Sequence, residues 1–158
     1  MQPLVTIVTT YYNRAGFLKE TLRSLQLQTM TDWEAILWND GSTDNSEEIA
    51  REMAEMDSRF RIFGGERIGH AQSLVRSCAE AQGRYIGVLD SDDLLEPTAL
   101  EETAAVLESR PEIGMVYTDH VVIDGNGQRR GLGRRCQIPF SKDRMLLDFM
   151  TFHFRLIR

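Results

Sequence analysis

From Leu4 to Thr10 the chain alternates branched apolar and polar residues, the period-two pattern of a strand; Leu18, Leu22 and Leu25 then recur at helical spacing. The unit repeats. Trp33 to Trp38 reads as a second strand, and the helix after it carries Ile49, Met53 and Met56 on one face, with Thr43, Asp44 or Asn45 available as its cap. Phe60 to Phe63 predicts a short third strand, and Ala71, Leu74, Val75 and Cys78 mark the apolar face of a helix that Gly83 stops. Tyr85-Ile86-Gly87-Val88-Leu89 is a continuous apolar run, as expected of a strand covered on both faces. Pro97 opens a helix bearing Leu100, Ala104 and Leu107, Pro111 ends it, and Gly114 to Thr118 reads as another strand. Val121 to Ile123 runs into the turn sequence Asp124-Gly125-Asn126-Gly127, which predicts an antiparallel addition to a mainly parallel sheet.

Strands alternating with helices predict an α/β, Rossmann-like, doubly wound architecture with its core in residues 1–128. Residues 129–158 differ: Arg129-Arg130 and Arg134-Arg135 suggest a solvated basic loop, and Ser141 to Met150 reads as an amphipathic helix. Met145 to Ile157 is dense in apolar residues, including Phe149, Phe152 and Phe154. Such a segment needs a partner to bury it, which points to the rest of a longer chain, truncated here at its carboxyl end, or to another copy in a homo-oligomer.

Composition narrows the class without naming a chemistry. The 158 residues, 42% hydrophobic and 27% charged, suit one globular domain, and a net charge of −6 argues against a dedicated nucleic-acid surface. Met1-Gln2-Pro3 does not begin a signal peptide and no run reaches the length of a membrane span, so a cytoplasmic protein is expected, with the inner membrane face as a second site. Cys78 and Cys136 lack metal-ligand spacing and read as reduced, packed thiols.

The chemistry gathers where the apolar strands run out. Asp90, Asp92 and Asp93 follow the run ending at Leu89, and Asp40 follows Trp38-Asn39, so a parallel sheet would deliver all four to its carboxyl edge, where open α/β sheets bind ligands. Acids this close repel unless a cation holds them, and all-oxygen ligands suit magnesium or manganese carrying a diphosphate. The plainer alternative is that they solubilise the loop, with Asp93 and Glu96 facing the amino end of the helix near Pro97. Tyr12 is a candidate stacking platform for a planar base and Asp40 a candidate acceptor for an imide N–H; covering the core edge and forming an Asp-Gly turn are the competing roles. His70, His120 and His153 read as packed or surface histidines, His70 within reach of a phosphate. No Gly-x-Gly-x-x-Gly joins the first strand to its helix, which excludes a dinucleotide dehydrogenase, and no lysine follows a strand, which disfavours a phosphoacceptor receiver.

Taken together, Val5-Thr6-Ile7-Val8-Thr9-Thr10-Tyr11-Tyr12-Asn13-Arg14, Leu25-Gln26-Leu27-Gln28-Thr29, Asp40-Gly41-Ser42-Thr43-Asp44 and Gly83 through Asp93 resemble glycosyltransferase family 2 in order and spacing. The resemblance implies a GT-A type fold with a nucleotide-sugar donor across the carboxyl edge of the sheet. It implies that Thr10 and Tyr12 contact the base, Asp40 a uracil-type ring and Asp90 the ribose, that Asp92 holds Mn2+ or Mg2+, and that Asp93 shapes the site. It further implies a metal-dependent, inverting transfer from a UDP-sugar, or a thymidine nucleotide sugar with the same imide edge, to a glycan or lipid-linked acceptor in polysaccharide assembly.

Three positions depart from the family pattern. Asn39 stands where an Asp is common; Ser73-Leu74-Val75 stands where an Ala-Arg-Asn stretch reaches the donor, leaving Arg67 or Arg76 to substitute; and no general base follows Gly133, since Asp143 and Asp148 read as solvated helix charges. The base is therefore expected beyond Arg158. The alternative is a nucleotide-sugar-binding or partner-binding module without turnover.

Overall fold

All seven residues of strand β2 (Trp33–Asn39) are buried, as are six of the seven in β1 (Val5–Tyr11), because both strands lie inside a sheet covered on its two faces. The computed structural model describes residues 2–138, 141 and 154–158. Around this pair the chain adds α1 (Leu18–Gln26), α2 (Ser46–Met56), β3 (Phe60–Gly64), α3 (His70–Ala79), β4 (Tyr85–Val88), α4 (Ala99–Ser109), β5 (Met115–Tyr117), β6 (Val121–Ile123), β7 (Arg129–Leu132) and β8 (Arg155–Ile157). One six-stranded sheet runs β3-β2-β1-β4-β8-β5; β1 to β4 pair in parallel, and β8 is antiparallel to both its neighbours. The predicted mainly parallel α/β sheet is observed.

Strand alternation divides the core. Val5, Ile7 and Tyr11 of β1 and Trp33, Ala35 and Leu37 of β2 join Leu18, Leu22 and Leu25 of α1, Ala50 and Met53 of α2, and Leu100, Ala104 and Leu107 of α4 in one cluster. Each such fully buried Leu contributes roughly 1.5–3 kcal/mol. Met56, expected on the buried face of α2, is 66% exposed at that helix's last turn.

Helix α3 packs across β1 and β2, and here the periodicity misled. It buries Ser73 and Ser77, whereas Val75 lies 70% exposed and Cys78 is half-buried, its thiol pKa raised by that burial. The hydroxyls are satisfied: Ser77 donates to the Ser73 carbonyl and Ser73 to Asp40 Oδ1, so both small side chains sit inside at no polar cost.

Two further corrections concern the carboxyl third. Val121–Ile123 does not extend the main sheet; β6 pairs with β7 as a separate two-stranded ribbon, which places Arg129 and Arg130 on a strand, and Arg134–Gln137 is a 3-10 turn. The antiparallel addition to the main sheet is β8, seated between β4 and β5. Phe154 and Leu156 are thereby buried within this chain, Phe154 against Gly87, where an added Cβ would lie 2.9 Å from its ring. The helix expected over 141–150, with Asp143 and Asp148, and the aromatics Phe149, Phe152 and His153 fall outside the described residues, apart from Ser141.

At the opposite edge from the candidate site, buried Glu34 stitches the strands together. Its carboxylate accepts from Thr6 Oγ1, the Gln82 N–H and Arg61 Nη1, each at 2.8 Å. Thr6 Oγ1 in turn accepts the Gly83 N–H at 2.7 Å, an approach only glycine permits, since a Cβ there would meet Thr6 N at 2.5 Å.

Candidate functional site

The carboxyl edge of β1, β2 and β4 opens onto a cavity of about 390 Å³ lined by Thr10, Tyr12, Arg14, Asp40, Arg67, His70, Asp90 and Asp92. Residues 80 positions apart in sequence meet here because parallel pairing sets Tyr11 beside Asn39 and Val8 beside Val88, so the chain leaving β4 runs on to the same edge. Five residues singled out from sequence, Thr10, Tyr12, Asp40, Asp90 and Asp92, share this cavity. Asp93 instead lines a larger neighbouring cavity of about 710 Å³, together with Arg23, Leu94, Asp119, His120 and Phe154, and Asp90 stands on the border of both.

The acidic loop is tied down from α1. Thr21 donates to the Ser91 carbonyl at 3.1 Å and Ser24 accepts the Leu95 N–H at 3.1 Å, while the Asp93 N–H closes a turn on the Asp90 carbonyl. These bonds leave Asp90 and Asp92 at the surface of the cavity. Tyr11 is core, 1% exposed, whereas Tyr12 turns its ring outward.

Asp40 is 4% exposed and organises the loop after β3. Its Oδ1 accepts the N–H groups of Ile68 and Gly69, both at 2.8 Å, and the Ser73 hydroxyl at 3.0 Å; Oδ2 faces Arg67 Nε at 3.7 Å. Burial alone would raise its pKa, but the two amides, the hydroxyl and the Arg67 guanidinium outweigh it and hold the carboxyl below the usual range. The loop follows Gly64 and Gly65, with φ of 86° and 119°, and enters α3 through Gly69 at 89°, all in the region that favours glycine. Arg67 lies over the Tyr12 ring, 3.3 Å from its centroid, and Thr10 Oγ1 meets His70 Nδ1 at 3.0 Å.

Of the two arginines weighed as a replacement for the family's donor contact, Arg67 lines the cavity and Arg76 is an exposed residue of α3 outside its lining. Asn39 also has a local reason. Its amide donates to Glu47 Oε2 at 3.1 Å and accepts the Ser42 N–H at 2.8 Å; an aspartate would set two carboxylates against each other.

Sequence reasoning missed Arg14. Asn13 has φ of 52°, its Oδ1 accepts the Thr43 N–H at 2.8 Å, and the Arg14 N–H goes to Ser46 Oγ at 2.8 Å, which sends the Arg14 side chain across the mouth to within 3.4 Å of Asp92 Oδ2. The signal was an Asn after a strand, one of the few side chains that tolerates a left-handed backbone.

Residues 6–158 match the family model described as Glycosyl transferase family 2. The chain belongs to glycosyl transferase family 2. Among curated relatives it is 32% identical over 154 residues to a chondroitin synthase of Pasteurella multocida (strain Pm70), covering 98% of this chain and 16% of that protein. A putative glycosyltransferase EpsH of Bacillus subtilis (strain 168) is 38% identical over 100 residues, covering 63% and 29% respectively. This family 2 chain therefore spans less than a third of the length of either relative. Among solved structures, S. aureus TarS 1-349 in complex with UDP-GlcNAc superposes with a TM-score of 0.71 at 20% identity, over 78% of this chain and 36% of that one. The mannosyltransferase PcManGT from Pyrobaculum calidifontis, in complex with GDP-Man and Mn2+, gives 0.63 at 24% identity over the same shares. These likenesses establish the GT-A fold.

Proposed function

We propose that this chain is the nucleotide-sugar-binding part of a metal-dependent, inverting glycosyltransferase that uses a UDP-type donor and extends a glycan, polysaccharide or lipid-linked acceptor on the cytoplasmic side of a membrane. The observation that carries the reading is the convergence of Thr10, Tyr12, Asp40, Asp90 and Asp92 on one cavity at the sheet's carboxyl edge. The named relatives, a chondroitin synthase among them, support polysaccharide assembly by analogy.

In this reading Tyr12 stacks on the base, Thr10 and Asp40 bond its edge, and Asp90 bonds the ribose. The three short bonds of Asp40 all fall on Oδ1, so Oδ2, which faces Arg67 Nε at 3.7 Å, is the oxygen that would take the base. Among the described residues no group of three His, Cys, Asp or Glu forms a self-sufficient cation cage. A half-exposed carboxylate such as Asp92 instead fits a hard ion held jointly by one or two carboxylates and substrate phosphates, as Mn2+ and Mg2+ commonly are. Asp92 would hold such an ion, which when bound would supply Lewis-acid neutralisation of the charge on the leaving diphosphate.

Inversion requires the acceptor oxygen to form its bond to the anomeric carbon as the bond to diphosphate breaks on the opposite side, the hydroxyl proton passing to a general base. The reading leaves that base to residues beyond Arg158. A binding module without turnover would show nucleotide affinity alone, and accelerated sugar release by a longer chain would remove it.

Calorimetric titration with UDP, with GDP and ADP as controls, in manganese and in chelator, tests the proposal on the native chain and Asp92→Ala. Manganese-dependent UDP binding that disappears in Asp92→Ala is expected; a folded chain that binds no nucleotide refutes it.

A further inference from the structure

The cavity holds two guanidinium groups with different surroundings. Arg67 is committed to the Tyr12 ring and lies beside Asp40. Arg14 is placed differently: its backbone is pinned and its charge is loosely held. The Asn13 N–H to Ser42 Oγ, the Thr43 N–H to Asn13 Oδ1, the Arg14 N–H to Ser46 Oγ and the Ala15 N–H to Asp44 Oδ2 fix residues 13–15 to the loop after β2. The side chain itself is 44% exposed, and Nε stands 3.4 Å from Asp92 Oδ2, longer than a charge-assisted hydrogen bond of about 2.7–2.9 Å. Such a pair is easily exchanged.

We infer that Arg14 is a donor-binding residue that pairs with Asp92 and transfers to the donor's diphosphate when a divalent cation takes Asp92. The inference rests on the donor-site reading above. Its physical ground is charge balance. A dication on Asp92 would stand within a few ångströms of the guanidinium, and like charges at that range repel. Arg14 must then leave, and its fixed root restricts it to the same mouth, which Arg67, Asp90 and Asp92 also line. An anionic diphosphate entering there compensates both cations, and a guanidinium fork matches phosphate oxygens in geometry.

Arg14 thereby competes with the metal for Asp92 and supports the nucleotide once the metal is bound. Removing it should move the two affinities in opposite directions, which loss of fold would not do. The test is titration of the chain with Mn2+ alone, read by the free-ion EPR signal, and with UDP and then uridine at saturating Mn2+, for the native chain, Arg14→Ala and Arg14→Lys. Arg14→Ala is expected to bind Mn2+ alone about two- to fivefold more tightly. It should bind UDP about tenfold more weakly, with uridine unchanged and Arg14→Lys between the two. Native chain that binds UDP while Arg14→Ala matches it in both titrations overturns the assignment and leaves the donor site standing. Native chain that binds Mn2+ but no UDP overturns both.

Discussion

Replacing Asp40 separates its work in holding the fold from any work on a ligand, and the structure gives the size of the first. In Asp40→Ala the N–H groups of Ile68 and Gly69 and the Ser73 hydroxyl lose their common acceptor. Each stranded donor costs about 1–3 kcal/mol, and because Ile68 and Gly69 are only half-buried and water reaches them, the lower end applies, about 3–4 kcal/mol in total. Asp40→Asn keeps an acceptor oxygen in place and loses only the charge assistance, about 1–2 kcal/mol. The native protein differs from both variants in pH response, because only it carries the titrating carboxyl. Asp40's folded pKa is lowered, so its contribution is fully present above the unfolded value near 3.9 and is lost as pH falls through the lower folded value. Urea unfolding at pH 7 should rank native, Asn and Ala in that order, and the gap between native and Asp40→Asn should close as the pH drops below about 4. Equal losses for Asn and Ala at pH 7, or a gap that widens in acid, would mean that Asp40 does not hold this loop through its charged carboxylate.

Other changes test other parts of the frame. Glu34→Ala should cost about 2–4 kcal/mol in the same assay, because it strands the Thr6 hydroxyl and the Gln82 N–H while Arg61 keeps its contacts to Glu80, and Glu34→Gln should recover part of it. Gly64→Ala should destabilise by about 2–4 kcal/mol and lower the melting temperature, since φ is 86° and the new Cβ would lie 2.3 Å from the Asn39 carbonyl; a neutral result would mean that the loop is placed differently. Leu156→Ala, at a residue with no exposed surface, should cost about 2–5 kcal/mol by denaturant titration, whereas an effect below about 1 kcal/mol would show that β8 is not part of the core.

The sequence carried the repeated strand and helix units because Leu18, Leu22 and Leu25, or Leu100, Ala104 and Leu107, repeat where local geometry requires. It also placed the acids at the right edge, since a buried strand must end before a carboxylate begins. It could not show that Arg155–Ile157 enters the sheet 70 positions away in sequence from β4, because three residues have no period of their own and antiparallel pairing at that distance is decided by the gap they fill. The serine face of α3 was invisible for another reason. A serine whose hydroxyl bonds its own helix carbonyl or a buried carboxylate is as acceptable inside as an alanine, so polarity alone pointed the helix the wrong way. Arg14 and Asp92 meet only through the fold, and nothing local to either marks the pair.

The position of β8 has a consequence for how this domain is made. Among the described residues β5 hydrogen-bonds to the sheet only through β8, and β4 has β8 as its partner on that side. A ribosome delivers β5 about 40 residues before β8, and through that interval the edge of β4 carries an unfilled row of backbone donors and acceptors. Until residues 155–157 arrive, β4 is therefore the edge of the four parallel strands, the kind of exposed edge that can pair with foreign strands. Pairing over so long a separation is slow. Maturation should then be governed by the arrival of residues 155–157, and a peptide of that sequence supplied in trans would compete for that edge.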